Sequence, residues 1–219
     1  VAVSATPAYQ DAVDMREKIL QVGPAQSGIT KDAWFAAATS RISSGAGRVF
    51  LEVERFDRTP INAANPQGLG RIGMVSLMVY DAEYVGAMDN WAATANRMQE
   101  RGLLRPADAR TLRLLEAFGA LIANSDRHHG NVSLLLFNHR WQLAPAYDML
   151  PMFYAPVAGE VVPRDWASQP PRPNANTLAV WPQARELALA FWQRAAEDPR
   201  ISEVFRAIAQ ANVGVVQTL

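Results

Sequence analysis

The window from Ile122 to Met152, IANSDRHHGNVSLLLFNHRWQLAPAYDMLPM, holds the chain's densest run of side chains able to do chemistry. Asp126 is followed by His128 and, five residues on, by Asn131, with Ser125, His129 and Gly130 filling a turn-like interval between two apolar runs. Leu134 to Phe137 and Trp141 to Leu143 then flank the polar pair Asn138-His139, which predicts a hairpin. Past it comes Asp148. A tight hairpin returns the chain to where it left, so Asn131 and Asp148 are expected side by side. An amide oxygen and a carboxylate so placed make a hard-oxygen pair suited to Mg²⁺, which takes its remaining ligands from water and substrate phosphates.

Asp126 is then free to accept or orient the proton of an attacking hydroxyl. The spacing Asp126, Arg127, His128, His129, Gly130, Asn131 matches the D-x-x-x-x-N form of a kinase catalytic loop, and Asp148 follows a hairpin as a kinase's metal-binding Asp does. No His-Arg precedes Asp126, and Met149-Leu150 stands where Phe-Gly would follow Asp148. Taken alone, Asp126 reads equally as a turn residue. Adjacent His128 and His129 reach one transition-metal ion less readily than an i, i+4 helical pair would, so His129 is expected at the surface or in a supporting role.

The segments SDRHHGN, LAPAYDMLPM and VFLEVERFDR together resemble the HipA-like serine/threonine kinases, toxins of bacterial toxin-antitoxin modules. The resemblance runs from about Arg41 to the C-terminus. It implies Asp126 as the catalytic aspartate, His128 as the catalytic-loop histidine, and Asn131 and Asp148 as Mg²⁺ ligands. It also implies that Glu54, Phe56 and Asp57 form a hinge whose backbone reads the adenine of ATP and whose aspartate lies near the ribose. A protein substrate, with an aminoacyl-tRNA synthetase as one candidate, and a DNA-binding antitoxin partner are further implications; nucleic acid would be met only through that antitoxin.

Composition narrows the setting. With 219 residues, 21 basic and 21 acidic, the formal net charge is zero, so no global attraction to nucleic acid or an anionic membrane is expected. Absent cysteine excludes disulfides and thiolate zinc sites. No apolar run reaches the roughly 18 residues of a spanning helix, and Val1 to Val13 lacks a signal peptide's pattern. A cytoplasmic protein without membrane association is the expectation.

The expected fold is mainly α with small β elements, an α+β arrangement resembling the C-terminal lobe of a HipA-type kinase with an incomplete N-terminal lobe. Residues 1–57 read as a remnant of the N-terminal lobe and the hinge, and 58–219 as the helical lobe. Along the chain, the patterns predict a short strand over Val1 to Pro7, a helix over Asp11 to Val22, an Ala-rich helix over Lys31 to Arg41 broken by Ser43 to Gly47, and a strand over Arg48 to Arg55. Thr59 to Ile72 reads as an exposed loop, and helical character begins at Met74. Helices follow over Asn90 to Arg101, stopped by Gly102, from Pro106 to about Asn124, over Pro182 to Glu197, and from Ser202 to about Asn212. Proline-rich Pro151 to Pro182 is expected to be irregular.

The Ser43 to Gly47 stretch lacks a Walker ending and leads into a strand, which favours a turn over a phosphate loop. Arg outnumbers Lys nineteen to two, the lysines being Lys18 and Lys31. A lysine contacting the ATP phosphates is not evident: VAVSATP resembles the family's lysine-bearing strand but carries Ser4. A fragment of a longer kinase, a degenerate nucleotide binder and a partner-completed kinase are the competing explanations, the fragment ranking first. A pseudokinase engaging an antitoxin-like partner is the alternative function. A metal-dependent hydrolase using Asp126, His128, His129 and Asp148 ranks behind both.

Overall fold

Strand alternation in Arg48–Val53 produces β2, which pairs antiparallel with β1, Ser40–Gly45, in the register Ser40 to Val53 and Gly45 to Arg48. This computed structural model describes residues 40–45, 48–59, 70–158, 160–162 and 164–219. The expected strand near Val1, the helix over Asp11 to Val22 and Ser4 lie outside the described residues. Most of the Lys31 to Arg41 helix does too, but Ser40 and Arg41 belong to β1. Pairing with β2 overrides the helical propensity of the Ala-rich run at its end. The expected break at Ser43 likewise falls inside the strand.

A second sheet has the order β3-β4-β5, with β3 at Gly73–Ser76, β4 at Ser133–Phe137 and β5 at Arg140–Leu143, all antiparallel. The hairpin between β4 and β5 turns on Asn138 (φ 48°) and His139 (φ 61°), the two left-handed residues of a tight primed turn. Strand β3 corrects the expectation of helix from Met74. The run Gly73 to Tyr80 is apolar apart from Ser76 and fits either period; only pairing of Gly73 to Ser76 with Leu136 to Ser133 makes its first half a strand. Ser76 then caps the helix that follows, accepting from the Val79 N–H.

The helices are α1, Leu77–Tyr84; α2, Trp91–Glu100; α3, Pro106–Leu121; α4, Trp181–Glu197; and α5, Glu203–Gln217. Asn90 caps α2 and Ser202 caps α5 through their side chains. Pro106 occupies the first turn of α3, where its missing N–H costs nothing. Helix α5 runs on to Gln217, beyond the expected end near Asn212, because Val213 and Val216 extend its buried face. The described residues between Pro151 and Val180 are irregular apart from short 3₁₀ turns at Met152–Tyr154 and Leu178–Val180 and a single bridge between Val157 and Glu160.

Gly102 (φ +70°) closes α2: its N–H donates to the Gln99 carbonyl and the Leu103 N–H to that of Met98. Nothing lies within 4 Å of a Cβ added there. Gly102→Ala therefore meets only the left-handed backbone cost and is expected to lower stability by about 1–2 kcal/mol in urea unfolding.

The core is laid around α3, which packs between α2 and α4, with α5 on the far side of α4. Leu114, Leu115, Phe118, Leu121 and Ile122 are buried, as their spacing predicts. Fully buried Trp192 stands among the rings of Tyr154, Trp166, Phe191 and Phe205. Its indole N–H donates to the Leu121 carbonyl at 3.0 Å, so the aromatic cluster grips the last turn of α3. Among the described residues, no helix is long and apolar enough to cross a membrane.

Candidate active site

Helix α3 stops where the chemically rich loop begins. Its end is a Schellman closure in which the Asn124 N–H donates to Gly119 and the Ala123 N–H to Ala120. Ala123 takes the left-handed position (φ 57°) that glycine usually fills, held there in part by the Phe153 N–H donating to its carbonyl. Buried Asn124 is thereby aimed into the loop. Its Oδ1 accepts the Asp126 N–H at 2.9 Å, and Asn131 Nδ2 donates to the Asp126 carbonyl at 3.0 Å. The backbone of Asp126 is held on both sides, while its carboxylate stays about half exposed.

His128 folds back over Gly130, whose N–H donates to Nδ1 at 3.0 Å; Nε2 lies 3.8 Å from Asp126 Oδ1, beyond hydrogen-bond range. A Cβ on Gly130 would meet the His128 ring at 2.8 Å, so this arrangement needs glycine. His129 turns the other way. It is buried, pairs with Thr94 Oγ1 at 3.0 Å, and burial lowers its pKa. A surface position for His129 is thus overturned: on the short 3₁₀ turn His129–Asn131 consecutive side chains diverge, and this one points into the α2–α3 layer. The hydrolase arrangement loses that ligand. Among the described residues, no group of three or more His, Cys, Asp or Glu converges on a metal position.

The β4–β5 hairpin returns the residue before Asp148 to the residue before Asn131. Tyr147 makes the tie, its hydroxyl donating to the Gly130 carbonyl at 3.1 Å and accepting from Ser133 Oγ at 2.8 Å. Burial raises the Tyr147 pKa, so the phenol keeps its proton for that bond. Asp148 itself adopts φ 56°, an uncommon conformation that an aspartate tolerates. Asn131 gives its amide N–H to the Asp126 carbonyl, which leaves its Oδ1 as an acceptor. No described residue hydrogen-bonds the Asp148 carboxylate. Two hard oxygens, one charged, are therefore available, and the donor set fits Mg²⁺.

Beside Asp148 opens a cleft of about 420 Å³ lined by Val53, Phe56, Met74, Ser133, Tyr147 and Asp148, a size usual for small-molecule sites. Phe56 stacks against Tyr147 with ring centroids 5.9 Å apart. Glu54 is exposed just past β2. Asp57 is committed elsewhere: Arg55 holds it through Nε at 2.9 Å and Nη2 at 2.6 Å, and Arg58 also contacts it. The Arg55 hydrogen bonds above all hold its carboxyl well below the usual carboxylate range, at about 2. The Ile72 N–H donates to the Asp57 carbonyl at 2.9 Å, fixing this segment beside the start of β3.

Sequence reasoning passed over Glu116, Asn124, Arg127, Trp91 and Tyr147. Glu116 had a signal, since it sits on the buried face of α3 between Leu112 and Gly119. The others look in sequence like ordinary loop or core residues.

The match to the model of the HipA-like C-terminal domain covers residues 25–215. The chain belongs to this HipA-like family. It is 37% identical over 212 residues to Toxin YjjJ of Escherichia coli, an alignment that takes in 96% of this chain and 46% of that protein. The HipA-like chain thus spans about half the length of the curated relative it matches. Its fold resembles that of HipA from Shewanella oneidensis, solved in a complex with HipB and operator DNA (TM-score 0.55, 14% identity, 93% of this chain and 55% of that one). It also resembles the proinflammatory kinase CtkA of Helicobacter pylori (TM-score 0.56, 11% identity, 98% and 85%). The HipA-like fold, mostly helical with small sheets, is therefore one that a kinase shares.

Proposed function

We propose that the chain carries the catalytic and metal-binding half of a HipA-like protein kinase, transferring the γ-phosphoryl group of Mg·ATP to a protein Ser or Thr hydroxyl. The observation that carries this reading is the Tyr147 tie, which sets Asp148 beside the Asp126–Asn131 loop at the mouth of an aromatic-lined cleft. Residues 1–57 are read as the remnant of an N-terminal lobe and hinge, and 58–219 as the C-terminal lobe.

In this reading Asn131 and Asp148 hold Mg²⁺, which when bound neutralises charge on the phosphate oxygens. Phe56 and the apolar wall of Val53 and Met74 receive the base, with backbone groups from Glu54 onward reading its edge. Asp57, clamped by Arg55 and Arg58, shapes the hinge near the ribose. Asp126 orients the acceptor hydroxyl and takes up its proton as the oxygen bonds to the γ-phosphorus and the bond from that phosphorus to the β,γ-bridging oxygen breaks, releasing ADP, with His128 standing beside it. By analogy with the HipA–HipB–DNA assembly, an antitoxin-like protein is the proposed partner.

Calorimetric titration with ATP, with and without Mg²⁺, tests the site. Asp148→Ala is expected to weaken Mg²⁺-dependent binding by about 100-fold or more, since losing even an outer partner of a metal ligand costs 10–100-fold. Binding that ignores Mg²⁺ and the substitution would remove Asp148 from this role. The binding-only reading has one observation in its favour: the described residues contain no lysine. It predicts tight partner binding with no nucleotide binding in the complete protein.

A further inference from the structure

Glu116 is the one acidic side chain on the buried face of α3 that reaches the catalytic loop, and neither packing nor the proposed chemistry explains it. Its side chain is about 10% exposed. Oε1 accepts from Arg127 Nε at 3.0 Å, and Oε2 accepts from the Trp91 backbone N–H at 3.2 Å. Each partner leads into the loop. Arg127 directly follows Asp126, and its guanidinium also contacts the Asn124 carbonyl. Trp91, itself buried, donates its indole N–H to the His128 carbonyl at 3.0 Å. Arg127 directly, Asn124 through Arg127, and His128 through Trp91 are thus tied to one carboxylate.

We infer that Glu116 is a positioning residue for the proposed phosphoryl transfer, fixing the Asp126–His128 backbone from behind through Arg127 and Trp91. The chemistry requires a carboxylate. Both partners are donors, and only a side chain with two acceptor oxygens accepts from both. A glutamine turns its NH₂ group toward one of them and leaves a buried donor unpaired. Gly119, one turn further along α3, completes the device: a Cβ there would meet Arg127 Cδ at 2.5 Å, so the glycine admits the arginine stem to the helix surface. Aspartate is too short to span both contacts from the same Cα.

This inference rests on the kinase reading for its functional consequence and on the hydrogen bonds alone for its structural one, so the test has two arms. In the complete protein, Glu116→Gln is expected to lower kcat on the order of 10²-fold, the cost of displacing a catalytic group by about an ångström, with KM for ATP unchanged. In the same variant, amide hydrogen exchange of residues 125–131 is expected to accelerate while amides of α4 and α5 keep their protection. Glu116→Asp is expected to show the same split, and Glu116→Ala a larger one. Unchanged loop exchange in a folded Glu116→Gln protein would overturn the inference whatever the activity. So would faster exchange with kcat preserved in an active kinase. Faster loop exchange in a protein whose wild type transfers no phosphate would uphold the positioning role and sink the kinase reading instead.

Discussion

Asp126→Asn is expected to reduce phosphoryl transfer by the complete protein about 10²- to 10⁴-fold, the range for loss of a positioned general base. The substitution isolates the carboxylate. Asparagine keeps the size of the side chain and leaves untouched the bonds from Asn124 and Asn131, because both go to the backbone of residue 126. Mg·ATP binding, assigned to Asn131 and Asp148, is expected to survive. Loss of kcat with nucleotide affinity retained marks an interaction made in the transition state. Transfer of labelled phosphate to a protein acceptor reads the first quantity and calorimetry the second; transfer at the wild-type rate would remove Asp126 from its role.

Trp192→Ala is expected to cost about 3–5 kcal/mol of stability, as aromatic truncations in packed cores do. The side chain is fully buried, touches four other rings, and satisfies the Leu121 carbonyl in the last turn of α3. Against a total stability of about 5–15 kcal/mol that is a large share. Urea titration should show a lower midpoint with an unchanged slope. Because that last turn launches Asn124 toward Asp126, nucleotide binding by this variant should disappear together with the fold. A cost below about 1 kcal/mol would mean that the cluster closes over the gap and is not what anchors α3.

Helix α3 was legible from its apolar spacing and Pro106, α2 from its pattern and Gly102, and the β4–β5 hairpin from two apolar runs around Asn138-His139. Each signal is local: backbone preference and burial periodicity act within a few residues. Strand β3 was not legible, because Gly73 to Tyr80, apolar apart from Ser76, fits either period and the decision lies with β4, some sixty residues away. The same limit hid β1, whose partner β2 outweighs local helix preference.

For the proposed site, sequence alone supplied the candidate inventory, Asp126, His128, Asn131 and Asp148 in that order, and the hairpin that separates Asn131 from Asp148. Only the tertiary structure decided which of these side chains face solvent and which face the core. It separated His128 from His129, sending one over Gly130 and the other to Thr94. It committed Asp57 to Arg55 and Arg58, and it recruited Glu116, Trp91 and Tyr147 as ties. The reason is physical. Residue type sets what a group can donate or accept, but a buried donor must be paired by whatever acceptor packing brings within about 3 Å. That neighbour belongs to another helix or strand, and no local pattern encodes it.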